Sequence, residues 1–189
     1  MSTPFLVSTL VVAIAEIGDK TQLLSLVLAA RYRKPLPIIC GILFATLANH
    51  ALAGMAGEWV GAQFSAQTLR WVLALSMFAI AAWMLKPDKI EVDVKPIGRY
   101  GVFILTLVAF FIAEIGDKTQ IASVVLAAQY QSLAAVVLGT TFGMMIANVP
   151  VVLLGNAMAH RIPLRVVHIA AALMFAALGV YALVGPQTI

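Results

Sequence analysis

The chain has 189 residues, 62% of them hydrophobic and only 11% charged, with a mean hydropathy of +1.02. Soluble domains carry about a quarter of their residues as charged side chains, so this composition excludes a water-soluble globule and points to the bilayer as solvent. The formal net charge of +4 does not imply nucleic acid, because the cations sit in short loops between apolar stretches, and the single Cys40 excludes an intrachain disulfide.

A spanning helix needs about 20 mostly apolar residues, and six stretches qualify: Pro4–Ala30, Leu36–Ala62, Leu69–Leu85, Gly101–Ala128, Leu133–Ala159 and Leu164–Val184. No basic residue precedes the first stretch, and it carries acidic groups, so it reads as a helix and not a signal peptide. The loops after spans one, three and five hold Arg31, Arg33, Lys34, Lys86, Lys89, Lys95, Arg99, Arg161 and Arg165, whereas the opposite side has only Arg70. The positive-inside rule then puts those loops in the cytoplasm and both termini outside.

Ile14–Tyr32 and Ile112–Tyr130 align without a gap and agree at 15 of 19 positions, including the run Glu-Ile-Gly-Asp-Lys-Thr-Gln. Weaker matches follow: Gly41, Phe44 and Ala48-Asn49 correspond to Gly139, Phe142 and Ala147-Asn148 after one inserted residue. The expected fold class is therefore all-α, a polytopic membrane protein with six transmembrane helices arranged as two three-helix repeats. Residues 1–86 form the first repeat, 87–99 a cytoplasmic linker, and 100–189 the second. An odd number of spans per half turns the second copy over, giving an inverted repeat, a recurrent plan of secondary transporters with a substrate site near the midplane.

Glu16, Asp19 and Lys20 fall in the middle of the first span, and Glu114, Asp117 and Lys118 in the middle of the fourth. Each ionised group there costs about 2.5–3.5 kcal/mol on insertion scales, so something must compensate for them. On a continuous helix, positions i, i+3 and i+4 share a face, and two such faces would gather four carboxylates and two ammonium groups. Their sum is what a doubly charged cation would neutralise. Carboxylate, amide and hydroxyl oxygens suit hard divalent ions, and Thr21, Gln22, Thr119 and Gln120 stand beside the acids as supporting candidates. The sparse Cys and His disfavour zinc and copper and leave manganese, calcium and magnesium. The competing structural reading is intrahelical pairing, Glu16 with Lys20 and Glu114 with Lys118; such pairs would also make the lysines switch groups when no metal is bound.

Gly18 and Gly116 inside the motifs cost about 1 kcal/mol each relative to alanine in a helix. Two explanations stand: close helix approach, or a break that offers backbone carbonyls to an ion. Asn49 and Asn148, near the centre of the following spans, fit either metal coordination or interhelical hydrogen bonds. His50, whose counterpart is Val149, fits a proton relay or an ordinary packed histidine, and Glu58 fits a snorkelling side chain or a point of cation entry. Pro150 removes a helical donor and leaves the carbonyl of Ile146 free for a kink or a ligand. The small-residue run from Ala51 to Gly57 fits packing within one chain or between two chains as a homodimer.

Two copies of Glu-x-Gly-Asp-Lys-Thr in the first and fourth of six spans resemble the cation transporter family that includes Golgi and thylakoid manganese and calcium transporters and bacterial manganese exporters. The resemblance is sharpest over about 20 residues at each motif and extends along nearly the whole chain. It implies export of manganese, or movement of calcium, in exchange for protons, with Glu16, Asp19, Glu114 and Asp117 as the ion-binding acids. It also implies a bacterial inner-membrane location, no resident cofactor, and no enzymatic activity. A channel of the same fold and an exporter of small organic solutes are the alternatives. An intramembrane hydrolase is disfavoured because the chain lacks a Ser/Lys, HExxH or aspartyl-protease signature.

Overall fold

The structure, a computed structural model, describes residues 2–86, 101–154 and 164–184. Among the described residues the regular structure is entirely helical. The eight helices are α1 (Ser2–Glu16), α2 (Lys20–Tyr32), α3 (Pro35–Gln63), α4 (Ala66–Met84), α5 (Val102–Glu114), α6 (Lys118–Tyr130), α7 (Leu133–Leu154) and α8 (Leu164–Val184). Helices α3 and α7 and the Gln67–Met84 part of α4 are long and apolar enough to cross a membrane; α1, α5 and His168–Val184 of α8 are shorter apolar helices. The 87–99 linker lies outside the described residues, as do Lys89, Lys95, Arg99, His160, Arg161 and the last five residues of the expected fifth span.

The main departure from expectation is in the first and fourth apolar stretches, each of which is two helices and not one. Gly18 has φ +82° and Gly116 φ +73°, the left-handed region that only glycine enters freely, and a helix cannot continue through it. The next residues, Asp19 and Asp117, are extended (φ −78°, ψ 167° and φ −80°, ψ 162°) and start α2 and α6. A Cβ built on Gly116 would meet nothing within 4 Å. Of the two explanations for that glycine, the chain break is the one realised. The motif acids and lysines consequently do not lie along one continuous helical face, because the break separates Glu16 and Glu114 from the residues that follow.

The two halves repeat each other in conformation as well as in sequence. Both α2 and α6 end on a left-handed residue, Arg33 (φ 51°) and Gln131 (φ 46°), whose N–H donates to the carbonyl of Ala29 or Ala127 at 3.0 Å. Packing repeats with the halves exchanged: α1 lies on α7 and α5 on α3, α2 touches α7 and α6 touches α3, while α3 meets α7 and α4 meets α8. The same close approach occurs twice. A Cβ on Gly139 would stand 2.5 Å from the Phe5 carbonyl and 3.0 Å from Ser8 Cβ; one on Gly41 would stand 2.9 Å from the Phe103 carbonyl and 2.6 Å from Thr106 Cβ. Each half therefore completes the other's core, and neither buries its apolar faces alone.

The small-residue run on α3 is used within the chain. Gly54 faces Leu133 and Val137, Gly57 faces the Val124 carbonyl, and Gly61 faces the Ala128 carbonyl. Two apolar clusters flank the helix breaks. One gathers Val11, Ala15, Met77, Met84, Leu126 and Phe175, the other Leu24, Leu28, Ile38, Ile42, Phe110 and Met144. Pro150 lies inside α7, which continues to Leu154.

Candidate cation site

The breaks bring unlike helix ends together. Helices α1 and α5 stop at Glu16 and Glu114 with their carbonyl ends, and α2 and α6 start at Lys20 and Lys118 with their amide ends. Turn bonds from Asp19 N to the Glu16 carbonyl (3.1 Å) and from Asp117 N to the Glu114 carbonyl (3.0 Å) close each break. Helix N-termini favour nearby negative charge, which suits the aspartates, yet neither aspartate side chain caps its own helix. Their carboxylates are thus available to the opposite half.

Glutamine does the local bracing. The Gly18 N–H donates to Gln22 Oε1 (2.8 Å) and the Gly116 N–H to Gln120 Oε1 (2.7 Å). Each glutamine amide then reaches across: Gln22 Nε2 donates to the Ala147 carbonyl (3.1 Å), and Gln120 Nε2 to Asn49 Oδ1 (2.6 Å). The asparagines are tied in similarly. Asn49 Nδ2 donates to the Phe111 carbonyl (2.8 Å), Asn148 Oδ1 accepts from Ser25 (2.6 Å), and Asn148 Nδ2 donates to the Met144 carbonyl (3.1 Å). Both asparagine oxygens thus accept an interhelical bond, one of the two roles weighed for them.

All four motif acids are buried, at 1% exposure or less. Glu16, Asp19 and Asp117 each offer a carboxylate oxygen within 4.8 Å of the others, a group able to hold a metal ion. Glu114 stands outside this group and accepts a 2.7 Å bond from Thr46. Thr21 donates to Glu16 Oε1 across its own break. Glu16 Oε2, Glu114 Oε2 and Asp117 Oδ2 are buried without a hydrogen-bond partner, unlike most buried polar atoms.

The lysines behave differently from the intrahelical scheme. Lys118 Nζ lies 2.7 Å from Asp19 Oδ1, and Lys20 Nζ lies 3.4 Å from Asp117 Oδ1. Both ion pairs therefore cross between halves, in place of Glu16 with Lys20 and Glu114 with Lys118. The break is the physical reason, because the lysine no longer follows the glutamate by one helical turn. Of the remaining candidates, Thr119 is buried with its hydroxyl unpartnered, His50 is buried with neither ring nitrogen hydrogen-bonded, and Glu58 is exposed.

Two site neighbours escape a sequence reading. Thr46 has a methionine where the second copy should match it, so self-comparison gives it no weight, although it lies three residues before Asn49 on the same helical face. Ser25 does match Ser123, but only the fold reveals its bond to Asn148.

The family model described as divalent cation/proton antiporter GDT1 matches residues 4–91 and 102–188. The chain belongs to this family. It is a transmembrane cation/proton antiporter and not an enzyme. A Vibrio cholerae protein provisionally named a manganese exporter is 54% identical over 162 residues, covering 85% of this chain and 80% of its own. A GDT1-like protein of Synechocystis sp. is 26% identical over 195 residues, covering 93% and 94%. No solved structure matches the chain.

Proposed function

We propose that this antiporter exports manganese from the bacterial cytoplasm in exchange for protons, using a site formed by Glu16, Asp19, Glu114 and Asp117 where two inverted three-helix repeats meet. The observation that carries this reading is the buried group of Glu16, Asp19 and Asp117, with carboxylate oxygens within 4.8 Å of one another and drawn from both halves. In this reading the broken pairs α1–α2 and α5–α6 each make one span, six spans cross the inner membrane, and both termini lie outside.

The cycle follows from the ion pairs. With no cargo, Lys118 and Lys20 neutralise Asp19 and Asp117. A divalent cation arriving from the cytoplasm displaces the ammonium groups and takes oxygens from both halves, so its binding energy depends on how the halves are juxtaposed. Rocking of one repeat against the other then opens the site outward, where protons replace the ion on the carboxylates. Cation and protons compete for the same oxygens, which enforces exchange. Thr21 and Thr46 orient Glu16 and Glu114, while Gln22, Gln120, Asn49 and Asn148 hold the breaks in register with α3 and α7. Support for manganese over calcium comes from the name of the Vibrio relative.

The deciding experiment uses proteoliposomes with an imposed pH gradient, following internal pH as manganese, calcium or magnesium is added. Manganese-driven proton movement that Glu16→Gln and Glu114→Gln each abolish is the expected result. Metal flux without proton movement would indicate a channel. Normal exchange in both variants would sink the shared-carboxylate site.

A further inference from the structure

Among the described residues, five side chains outside the acidic group have buried polar atoms without a hydrogen-bond partner: Ser8, Tyr32, His50 at both ring nitrogens, Thr119 and Thr141. The last three, with exposures of 0%, 1% and 5%, lie on the helices that meet beside the acidic group. Buried polar groups in folded proteins are nearly always hydrogen-bonded, and the exceptions commonly mark a bound water or ion.

Register puts the three at one level. Helices α3 and α7 run in opposite directions where they touch, and Gly54 packs on Leu133 and Val137. One turn inward along each helix, His50 on α3 comes level with Thr141 on α7. On the α6 side, the bond from Gln120 to Asn49 sets the residues next to them, Thr119 and His50, side by side in height. By register the three lie at similar depth on α3, α6 and α7, on the side of the acidic group towards which α6 runs.

The symmetry-related place, which also draws on both halves, has no such lining. By the internal repeat, His50 corresponds to Val149 and Thr141 to Leu43, and Thr21, the counterpart of Thr119, donates its hydroxyl to Glu16. Two places that the repeat relates thus differ, one polar and unsatisfied, the other apolar or satisfied. A purely structural role does not explain leaving three polar groups unpaired in a membrane interior, where bulk water cannot satisfy them.

We propose that His50, Thr119 and Thr141 form a transit station for a divalent cation that keeps part of its water shell, on the outward route from the acidic site. The lining is neutral, with two hydroxyls and an imidazole. It supplies hydrogen bonds to the ion's waters and at most one nitrogen ligand, so the ion passes through and is not held as it would be by carboxylates. On the cytoplasmic side two of the corresponding positions, Val149 and Leu43, are apolar and the third, Thr21, is engaged with Glu16, so that route opens by helix separation and not through a standing polar path. The inference rests on the antiporter reading above and on its orientation in the membrane.

The test copies the symmetry-related positions into this place. His50→Val with Thr141→Leu installs the counterpart residues, and His50→Gln with Thr141→Ser keeps the lining polar. In the full-length protein, manganese binding in detergent should stay within about twofold for both pairs, while exchange in proteoliposomes should fall by about tenfold or more for the apolar pair only. Wild-type exchange by the apolar pair would overturn the station, and so would equal loss in both pairs, which would mark a packing role. Loss of manganese binding in the apolar pair would assign these residues to the acidic site and also overturn it. As an independent reading, Thr141→Cys in a Cys40→Ser background should react from the outer face with a water-soluble thiol reagent, and manganese should slow that reaction; an inert thiol would sink the proposal. Wild-type protein that neither binds nor exchanges metal would instead overturn the antiporter reading, and the station with it.

Discussion

Lys118 Nζ sits 2.7 Å from Asp19 Oδ1 in the opposite half of the chain, and the ammonium group is almost as buried as the carboxylate. The equivalent pair, Lys20 with Asp117, is longer at 3.4 Å, and its lysine is 30% exposed. Removing one partner of a buried pair costs about 3–5 kcal/mol because the remaining charge is uncompensated, whereas an exposed pair is worth about 0–1 kcal/mol. Asp19→Asn, which removes the carboxylate charge beside the buried Lys118, should therefore lower the melting temperature in detergent clearly more than Asp117→Asn, whose lysine, Lys20, is within reach of water. Equal shifts, or the reverse order, would contradict the asymmetry of the two pairs.

The breaks give a second prediction. Gly116 has φ +73° and open space around its Cβ position, so substitution there is penalised by conformation and not by collision. Gly116→Ala should destabilise by about 1–2 kcal/mol, the cost of a left-handed residue bearing a Cβ. Gly116→Asn should cost less, because asparagine enters this region more readily, and Gly116→Val should cost most. Urea unfolding of the three variants checks the order. An order following side-chain volume alone, with asparagine as harmful as valine, would point to crowding.

The contrast between Gly116 and Lys118 shows how far sequence reached. Six apolar stretches, a duplicated motif and buried acids are all matters of composition and spacing, and they were legible. Whether a glycine inside an apolar stretch breaks the helix was not, because the intrinsic cost of glycine in a helix, about 1 kcal/mol, is too small to force either outcome. The lysine partners followed from that gap. Spacing of i, i+4 joins Glu16 to Lys20 only if the helix is continuous, and the positive φ at Gly18 redirects the chain so that tertiary packing chooses the partner. Thr46 was hidden for another reason: internal repetition finds what both halves share, and a methionine stands where the second copy would match the Thr46 that bonds Glu114.

The repeated glycine contacts can be tested against an internal control. Alanine at Gly139 would press on the Phe5 carbonyl at 2.5 Å, and alanine at Gly41 on Thr106 Cβ at 2.6 Å, whereas alanine at Gly101 would meet nothing within 4 Å. Overpacking typically costs about 1–3 kcal/mol. Gly139→Ala and Gly41→Ala should each lower stability by amounts in that range while Gly101→Ala stays near wild type, measured by thermal unfolding. If Gly139→Ala were neutral, α1 and α7 would not be in the backbone-close packing described.

The two glutamines brace equivalent breaks through different partners, and a double-mutant cycle separates them. Gln120 joins the Gly116 N–H to the side chain of Asn49, so Gln120→Leu and Asn49→Leu each remove the same 2.6 Å bond. Residues sharing a bond show interaction energies of about 0.5–3 kcal/mol, and this pair should be strongly non-additive in stability. Gln22 instead anchors to the backbone carbonyl of Ala147, while Asn148 is held by Ser25. Gln22→Leu with Asn148→Leu should consequently couple less. The distinction bears on motion: a backbone anchor is fixed in place by its helix, whereas a side-chain pair such as Gln120 with Asn49 can part by rotamer changes without unwinding α3. If the cycles return equal coupling, the two breaks are braced alike and this difference plays no part in how the halves move.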